Sequence, residues 1–236
     1  MTNSDGPYTA FIFCRGGSKG VPKKNIRLVG EKPLLAWSVE CAKKSSHIGR
    51  VVVSTDDQEI SEIAEQFGAE VLQRPEKLAT DSAAELDAWK HAISVYSDRL
   101  NDCFISIPAT SPLRETEDID AAIIRFKRND CDIVFGVSES HRSPYLNMVE
   151  RDEKDFINVI LKDETIYRRQ DTPQVFDITT CVYVGAPKYI AACNHLMEGG
   201  VASVEIPAHR SLDIDNMYDL HMAELLLQNP FVGKPR

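Results

Sequence analysis

Apolar positions along this chain change their spacing repeatedly, and the changes mark out its elements. Residues 8–13 form a short β-branched and aromatic run that breaks into a glycine-rich turn, the pattern of a first strand. Beyond the turn, 34–45 reads as a helix and 50–54 as a buried strand. Residues 58–67 read as a helix in which Ile60, Ile63, Ala64 and Phe67 share a face. A short strand at 70–72 is interrupted by Arg74-Pro75. A helix resumes over 83–96, with Leu86, Trp89, Ile93 and Tyr96 aligned, and a strand follows at 103–107. A loop at 108–114, a helix at 117–127 and a strand at 132–137 continue the rhythm. Such alternation predicts an α/β fold: a mostly parallel sheet with helices on both faces.

The rhythm fails between 138 and 184. Extended pieces at 145–150, 156–161 and 179–184, separated by charged, proline-containing turns, predict a small antiparallel insertion at about 139–184, of the kind that dimerises or lids a site. A helix at 187–194, a strand at 202–206, the acidic turn Asp213-Ile214-Asp215 and a helix at 217–228 restore the α/β pattern. With no internal repeat and no long linker, residues 1–236 read as a single domain carrying that insertion.

Composition narrows the possibilities. With 236 residues, 43% hydrophobic and 27% charged, the chain reads as an ordinary soluble globular protein, not a disordered one. No apolar run approaches the ~20 residues that span a bilayer. Residues 1–6 lack the basic and apolar regions of a signal peptide, so the expected location is the cytoplasm, with no membrane partner. The six cysteines show no close pairing and read as packed, reduced thiols, and the histidines lack the spacing of a zinc site.

Charge is where the chemistry shows. Against a net charge of −9, residues 15–32 hold the cations Arg15, Lys19, Lys23, Lys24, Arg27 and Lys32 with a single acid, Glu31. A local positive pocket on an acidic protein attracts a small anion rather than nucleic acid. Gly16, Gly17 and Gly20 let backbone N–H groups approach that anion. The loop is not a Walker loop, because Lys19 precedes Gly20 and valine and proline follow. Nor does it open straight into a helix, as a dinucleotide fingerprint does.

Five ordered pieces now carry a resemblance. They are Arg15 to Asn25; Arg74-Pro75 followed by Leu78-Ala79-Thr80-Asp81; Thr110-Ser111-Pro112-Leu113-Arg114; Arg168-Arg169-Gln170-Asp171; and Asp213-Ile214-Asp215. Together, over nearly the whole chain, they resemble the acylneuraminate cytidylyltransferases, the CMP-sialic acid synthetases. The resemblance implies a Rossmann-like nucleotide-sugar-transferase sheet and a homodimer whose inserted arm reaches over the partner. It also implies activation of a nine-carbon 2-keto sugar acid, a nonulosonic acid, with CTP and magnesium. Arg15, Lys24, Asn25 and Arg74 match its nucleotide-contacting positions, Asp213 and Asp215 its magnesium positions, and Tyr183 and Arg169 its sugar pocket.

The chemistry fits these residue types. When an anomeric hydroxyl attacks the α-phosphorus of a nucleoside triphosphate, the site needs cations on the phosphates, a divalent metal and an oriented nucleophile. Arg15, Lys24 and the backbone of Gly16, Gly17, Ser18 and Lys19 would hold the triphosphate, with neutral hydrogen bonds from Ser18 and Asn25. Asp213 and Asp215, two apart in an extended turn, project to one side and suit one magnesium ion; an acidic start to the last helix is the alternative. Arg15, Lys24 and Asp215 are thus the expected catalytic set. Arg169 beside Gln170 suits the substrate carboxylate, and Tyr145 is a further pocket candidate beside Tyr183.

The chain also departs from the resembling sequences. Thr179-Thr180-Cys181 stands where many carry Asn-Gly-Ala, Pro108-Ala109 where some place glutamine, and Glu85 where some have serine. Legionaminic-type acids are therefore candidate substrates beside N-acetylneuraminic acid. Rival readings are a 3-deoxy-manno-octulosonate cytidylyltransferase, a metal-dependent glycosyltransferase using Asp213-Ile214-Asp215, and a non-catalytic nucleotide binder.

Overall fold

Side-chain alternation in the first strand sets the layers. In the computed structural model, which describes residues 8–18 and 20–229, β1 (Tyr8–Phe13) turns Ala10 and Ile12 to one face and Phe11 to the other. All three are fully buried, as a central strand requires. After a loop and a single helical turn at Lys24–Ile26, a ribbon of β2 (Leu28–Val29) and β3 (Lys32–Pro33) pairs around Gly30, whose φ of 65° is left-handed. The sequence pattern gave no sign of this ribbon.

The expected alternation follows: α1 (Leu34–Lys44), β4 (Ile48–Thr55), α2 (Gln58–Gln66), β5 (Glu70–Gln73), α3 (Glu85–Val95), β6 (Phe104–Ser106), α4 (Thr116–Phe126) and β7 (Ile133–Glu139). The later elements are β8 (Val149–Arg151), β9 (Ile157–Val159), β10 (Phe176–Gly185), α5 (Pro187–Ala192), β11 (Val201–Glu205) and α6 (Met217–Gln228). Seven strands form one sheet in the order β11-β7-β10-β6-β1-β4-β5. All pairings in it are parallel except those of β10, which runs antiparallel to both β6 and β7.

Here the structure divides the expected insertion. Of the three extended pieces, the first two form β8 and β9, a separate two-stranded ribbon in an arm. The third is the core of β10, in the middle of the main sheet, so the arm is confined to the residues between β7 and β10. Val182 and Val184 face one core and Tyr183 the other, which explains why that segment cannot lie in an exposed appendage.

Two cores flank the sheet. On one face α1, α2 and α4 bury Leu35, Val39, Ile60, Ile119 and Ile123 against Ile12, Val53 and Ile105. On the other, α3 and α5 cover an aromatic layer in which Phe104 lies 5.3 Å from both Phe11 and Trp89, and Trp89 lies 5.3 Å from Tyr183. A third cluster joins Val21, Val29 and Leu34 to Ile214, Leu220 and Ala223 of the C-terminal segment. Strand order reverses at β1, with β4 on one side and β6 on the other, and the crevice outside the carboxyl ends of such strands is where ligands settle in open α/β sheets.

Candidate active site

The loop leaving β1 is held open by its own hydrogen bonds. Cys14 N–H donates to Ser54 O at 3.0 Å, and Gly16 N–H donates to the Asp56 carboxylate at 3.1 Å. Asn25 is buried, and its side-chain amide donates to Arg15 O at 3.1 Å. Asn25 thus braces the loop as well as lining the cleft, and the Gly16 N–H already has a protein acceptor. Lys23 holds a left-handed φ of 52° before the helical turn. A Cβ on Gly20 would run into the main-chain oxygen of Asp215, so only glycine lets loop and acidic turn meet. Buried Val21 and Ile214 seal that junction. Lys19 lies outside the described residues.

A cleft of about 480 Å³ opens at the reversal point, lined by Arg15, Gly17, Ser18, Lys24, Asn25 and Arg74 on the side of the glycine-rich loop. Asp213, Asp215, Thr110, Thr180, Tyr183 and Glu85 line the remainder. Residues as far apart in sequence as Arg15 and Asp215 therefore converge on one cavity. Lys24 Nζ ties its two halves together, donating to Ile214 O at 2.7 Å and meeting Asp215 Oδ1 at 3.3 Å. Arg15 pairs with Asp81 at 2.7 Å.

Arg74, which the resemblance matches to a nucleotide-contacting position, lines the same cleft from just beyond β5. It is only 6% exposed, donates to Ser54 O at 2.6 Å and to Ser54 Oγ at 3.2 Å, and stacks on Phe13. Among the described residues no carboxylate lies within ion-pair distance of it, and burial lowers its pKa. Asp56 and Glu85 act on it only at longer range, and a buried guanidinium without a carboxylate in contact is suited to an anion.

The acids Asp213 and Glu85 shift in the same direction. Burial, and then the neighbouring Asp215, raises the Asp213 carboxyl above its ordinary value, while Thr110, Thr180 and Lys24 pull the other way. Asp213 Oδ1 is closed to solvent and unpartnered. Glu85 is open to water in the cleft yet walled by protein, which raises its carboxyl too, and it accepts from Trp89 Nε1 at 3.3 Å. Burial raises the Tyr183 phenol, with Glu85 and Asp213 adding to the effect. Elsewhere in the site burial pushes the Cys14 thiol up to about 12, so it packs as a neutral group.

Arg169, Gln170 and Tyr145 are not brought to this cleft. Arg169 and Gln170 line a separate depression in the arm with Ser140, His141 and Arg142, where Arg169 donates to His141 O at 3.3 Å. Tyr145 sits in the same arm, half-buried. Sequence reasoning missed Asp56, although a carboxylate just past a buried strand of a parallel sheet is a position worth noting. It also missed the Arg15–Asp81 pair.

A family model described as Cytidylyltransferase matches residues 9–205, most of the chain. The chain belongs to the cytidylyltransferase family. It is 30% identical over 220 residues to the CMP-N,N'-diacetyllegionaminic acid synthase of Campylobacter jejuni, covering 92% of this chain and 93% of that protein. It is 31% identical over 224 residues to the pseudaminic acid cytidylyltransferase of another C. jejuni strain, covering 91% and 94%. The N-acylneuraminate cytidylyltransferase of Escherichia coli is 30% identical over 222 residues, covering 93% of this chain but 52% of that longer protein. A solved CMP:2-keto-3-deoxy-manno-octonic acid synthetase, complexed with CTP, shares the fold: TM-score 0.72, 13% identity, 96% of this chain and 100% of that one. Nonulosonate-activating relatives thus accompany the resemblance seen in the sequence, and the octulosonate enzyme shares architecture alone. Among the described residues no helix is long and apolar enough to cross a membrane.

Proposed function

We propose that this cytidylyltransferase moves CMP from CTP onto the anomeric hydroxyl of a nonulosonic acid, in the cytoplasm, where the nucleotide is at hand. The observation that carries the reading is the single cleft in which Arg15, Lys24 and the unpaired, buried Arg74 face Asp213 and Asp215. The anomeric oxygen attacks the α-phosphorus, the bond from that phosphorus to the bridging oxygen breaks, pyrophosphate departs with the bond pair, and the hydroxyl proton passes to water. Arg15 and Arg74 offer planar donors to phosphate oxygens, and Lys24 offers a point charge that can turn from Asp215 toward them. With little covalent work to do, these groups act by positioning and by offsetting the developing charge.

Asp213 and Asp215 fit a magnesium ion. Both are hard oxygen donors lining the cleft, and the Asp213 Oδ1 atom lacks a partner. Magnesium takes one or two carboxylates and completes its shell with water and phosphates, and when bound it would draw charge from the triphosphate. The sugar carboxylate falls to Arg169, with Gln170 and Tyr145, in a homodimer whose arm reaches the partner's cleft. The arm's exposed Phe156, Ile157, Ile160 and Leu161 suit such burial.

The test is an incubation of the protein with each nucleoside triphosphate, magnesium and a panel of 2-keto sugar acids, following pyrophosphate release. Release that needs CTP and a nonulosonate supports the reading. Release with 3-deoxy-manno-octulosonate alone, or with no sugar acid at all, would overturn it.

A further inference from the structure

Thr180 stands at an irregularity. Pairing of β10 with β7 shifts register between Ile178 and Tyr183, so Thr179, Thr180 and Cys181 leave the regular ladder. Such departures re-aim side chains beside functional sites, and Thr180 is turned into the cleft lining. Its Oγ1 lies 2.7 Å from Ser111 Oγ. Each hydroxyl carries one proton, so their mutual bond uses one and leaves the other free. The Asp213 carboxyl lines the same cleft, its Oδ1 closed to solvent and unpartnered, and the hydroxyls of both Thr110 and Thr180 act on it. The main chain next to Asp213 is fixed by the same loop, because Ile214 N–H donates to Thr110 O at 2.9 Å and Ile214 is fully buried. With the main chain held there, the orientation of the carboxyl falls to its side-chain neighbours, Thr110 and Thr180 among them.

We infer that Thr180 is a positioning residue for the cation site: with Ser111 donating to it, the Thr180 hydroxyl donates to one oxygen of Asp213 and leaves the other to face a divalent cation. The inference rests on the magnesium reading above. Carboxylates that ligate metals are themselves held by outer hydrogen bonds, whose loss typically weakens metal affinity about 10–100-fold. A small residue at position 180 would leave Asp213 without that donor.

Calorimetric titration of CTP into the full chain, without sugar acid, tests it when performed once with magnesium and once with EDTA. The ratio of the two affinities measures how far the cation strengthens nucleotide binding. Thr180→Val, which keeps the strand-favouring shape and removes the hydroxyl, should lower that ratio about tenfold or more, any loss in EDTA being smaller than the loss in magnesium. Thr180→Ser should restore it. An unchanged ratio in Thr180→Val, or an equal loss with and without magnesium, would overturn the positioning role while leaving the cytidylyltransferase reading standing. A ratio of one in the unmodified protein would instead remove the magnesium reading, and this inference with it.

Discussion

Replacing Arg74 with methionine separates nucleotide binding from folding. The side chain is buried, makes two hydrogen bonds to Ser54 and has no carboxylate partner among the described residues. Losing those charge-assisted bonds costs about 1.5–3 kcal/mol each. Relieving a desolvated charge gives back an amount of the same order, since apolar replacements of buried ions are often neutral or stabilising. Ser54 O keeps a second donor, Cys14 N–H, so it is not orphaned. The ligand-free variant should therefore stay within about 1 kcal/mol of the parent, roughly 2–4 °C in thermal midpoint for a chain of this size. CTP binding should suffer far more, because a charge-assisted bond to phosphate contributes about 1.5–3 kcal/mol, or roughly 10–150-fold in Kd. Calorimetric titration and differential scanning calorimetry read the two effects separately. A variant that loses ten degrees and still binds CTP normally would show that Arg74 is a strut and that its burial without an ion pair has no bearing on the ligand.

Asp215→Asn should leave the fold intact and cut turnover by two or more decades, about 3 kcal/mol, in the pyrophosphate assay at saturating magnesium. Asp213→Asn should raise the thermal midpoint of the ligand-free protein at neutral pH, because burial and Asp215 disfavour the charged carboxyl. A raised folded-state pKa gives stability that is present at low pH and lost as pH rises through it, so the advantage of the variant should shrink on acidification; a constant gap from pH 8 to pH 4 would contradict the assignment. Arg169→Ala should lower kcat/KM for the sugar acid by one to two decades with CTP affinity unchanged. Mixing it with Asp215→Asn should recover activity in heterodimers, and no recovery would place Arg169 in service of its own cleft or of none.

Much of this was legible because local patterns report local structure. The bounds of β1 and α6 follow from the apolar runs, and the cation-rich loop after β1 announced the cleft. What stayed hidden depends on long-range neighbours. Thr179 to Val184 reads as a strand, but nothing in its own pattern says that it enters the sheet between β6 and β7. Arg74 looks like any turn arginine until Phe13 and Ser54 close over it. Asn25 has donors suited to a nucleotide, and only the folded loop shows one of them spent on Arg15 O. The arm residues matched a motif by order, and order along the chain carries no distance to a cleft.

The position of β10 governs how the chain reaches its folded state. β6 and β7 never pair with each other; the sheet is two halves joined by a strand that lies C-terminal to both. Until 176–185 has been synthesised and docked, Phe104 and Ile105 on one side and Ile133 to Phe135 on the other border open strand edges that invite pairing with other chains. Fragments ending before residue 176 should accordingly aggregate. A nick at the exposed turn between β8 and β9 spares every strand of the main sheet and should leave two pieces that stay associated.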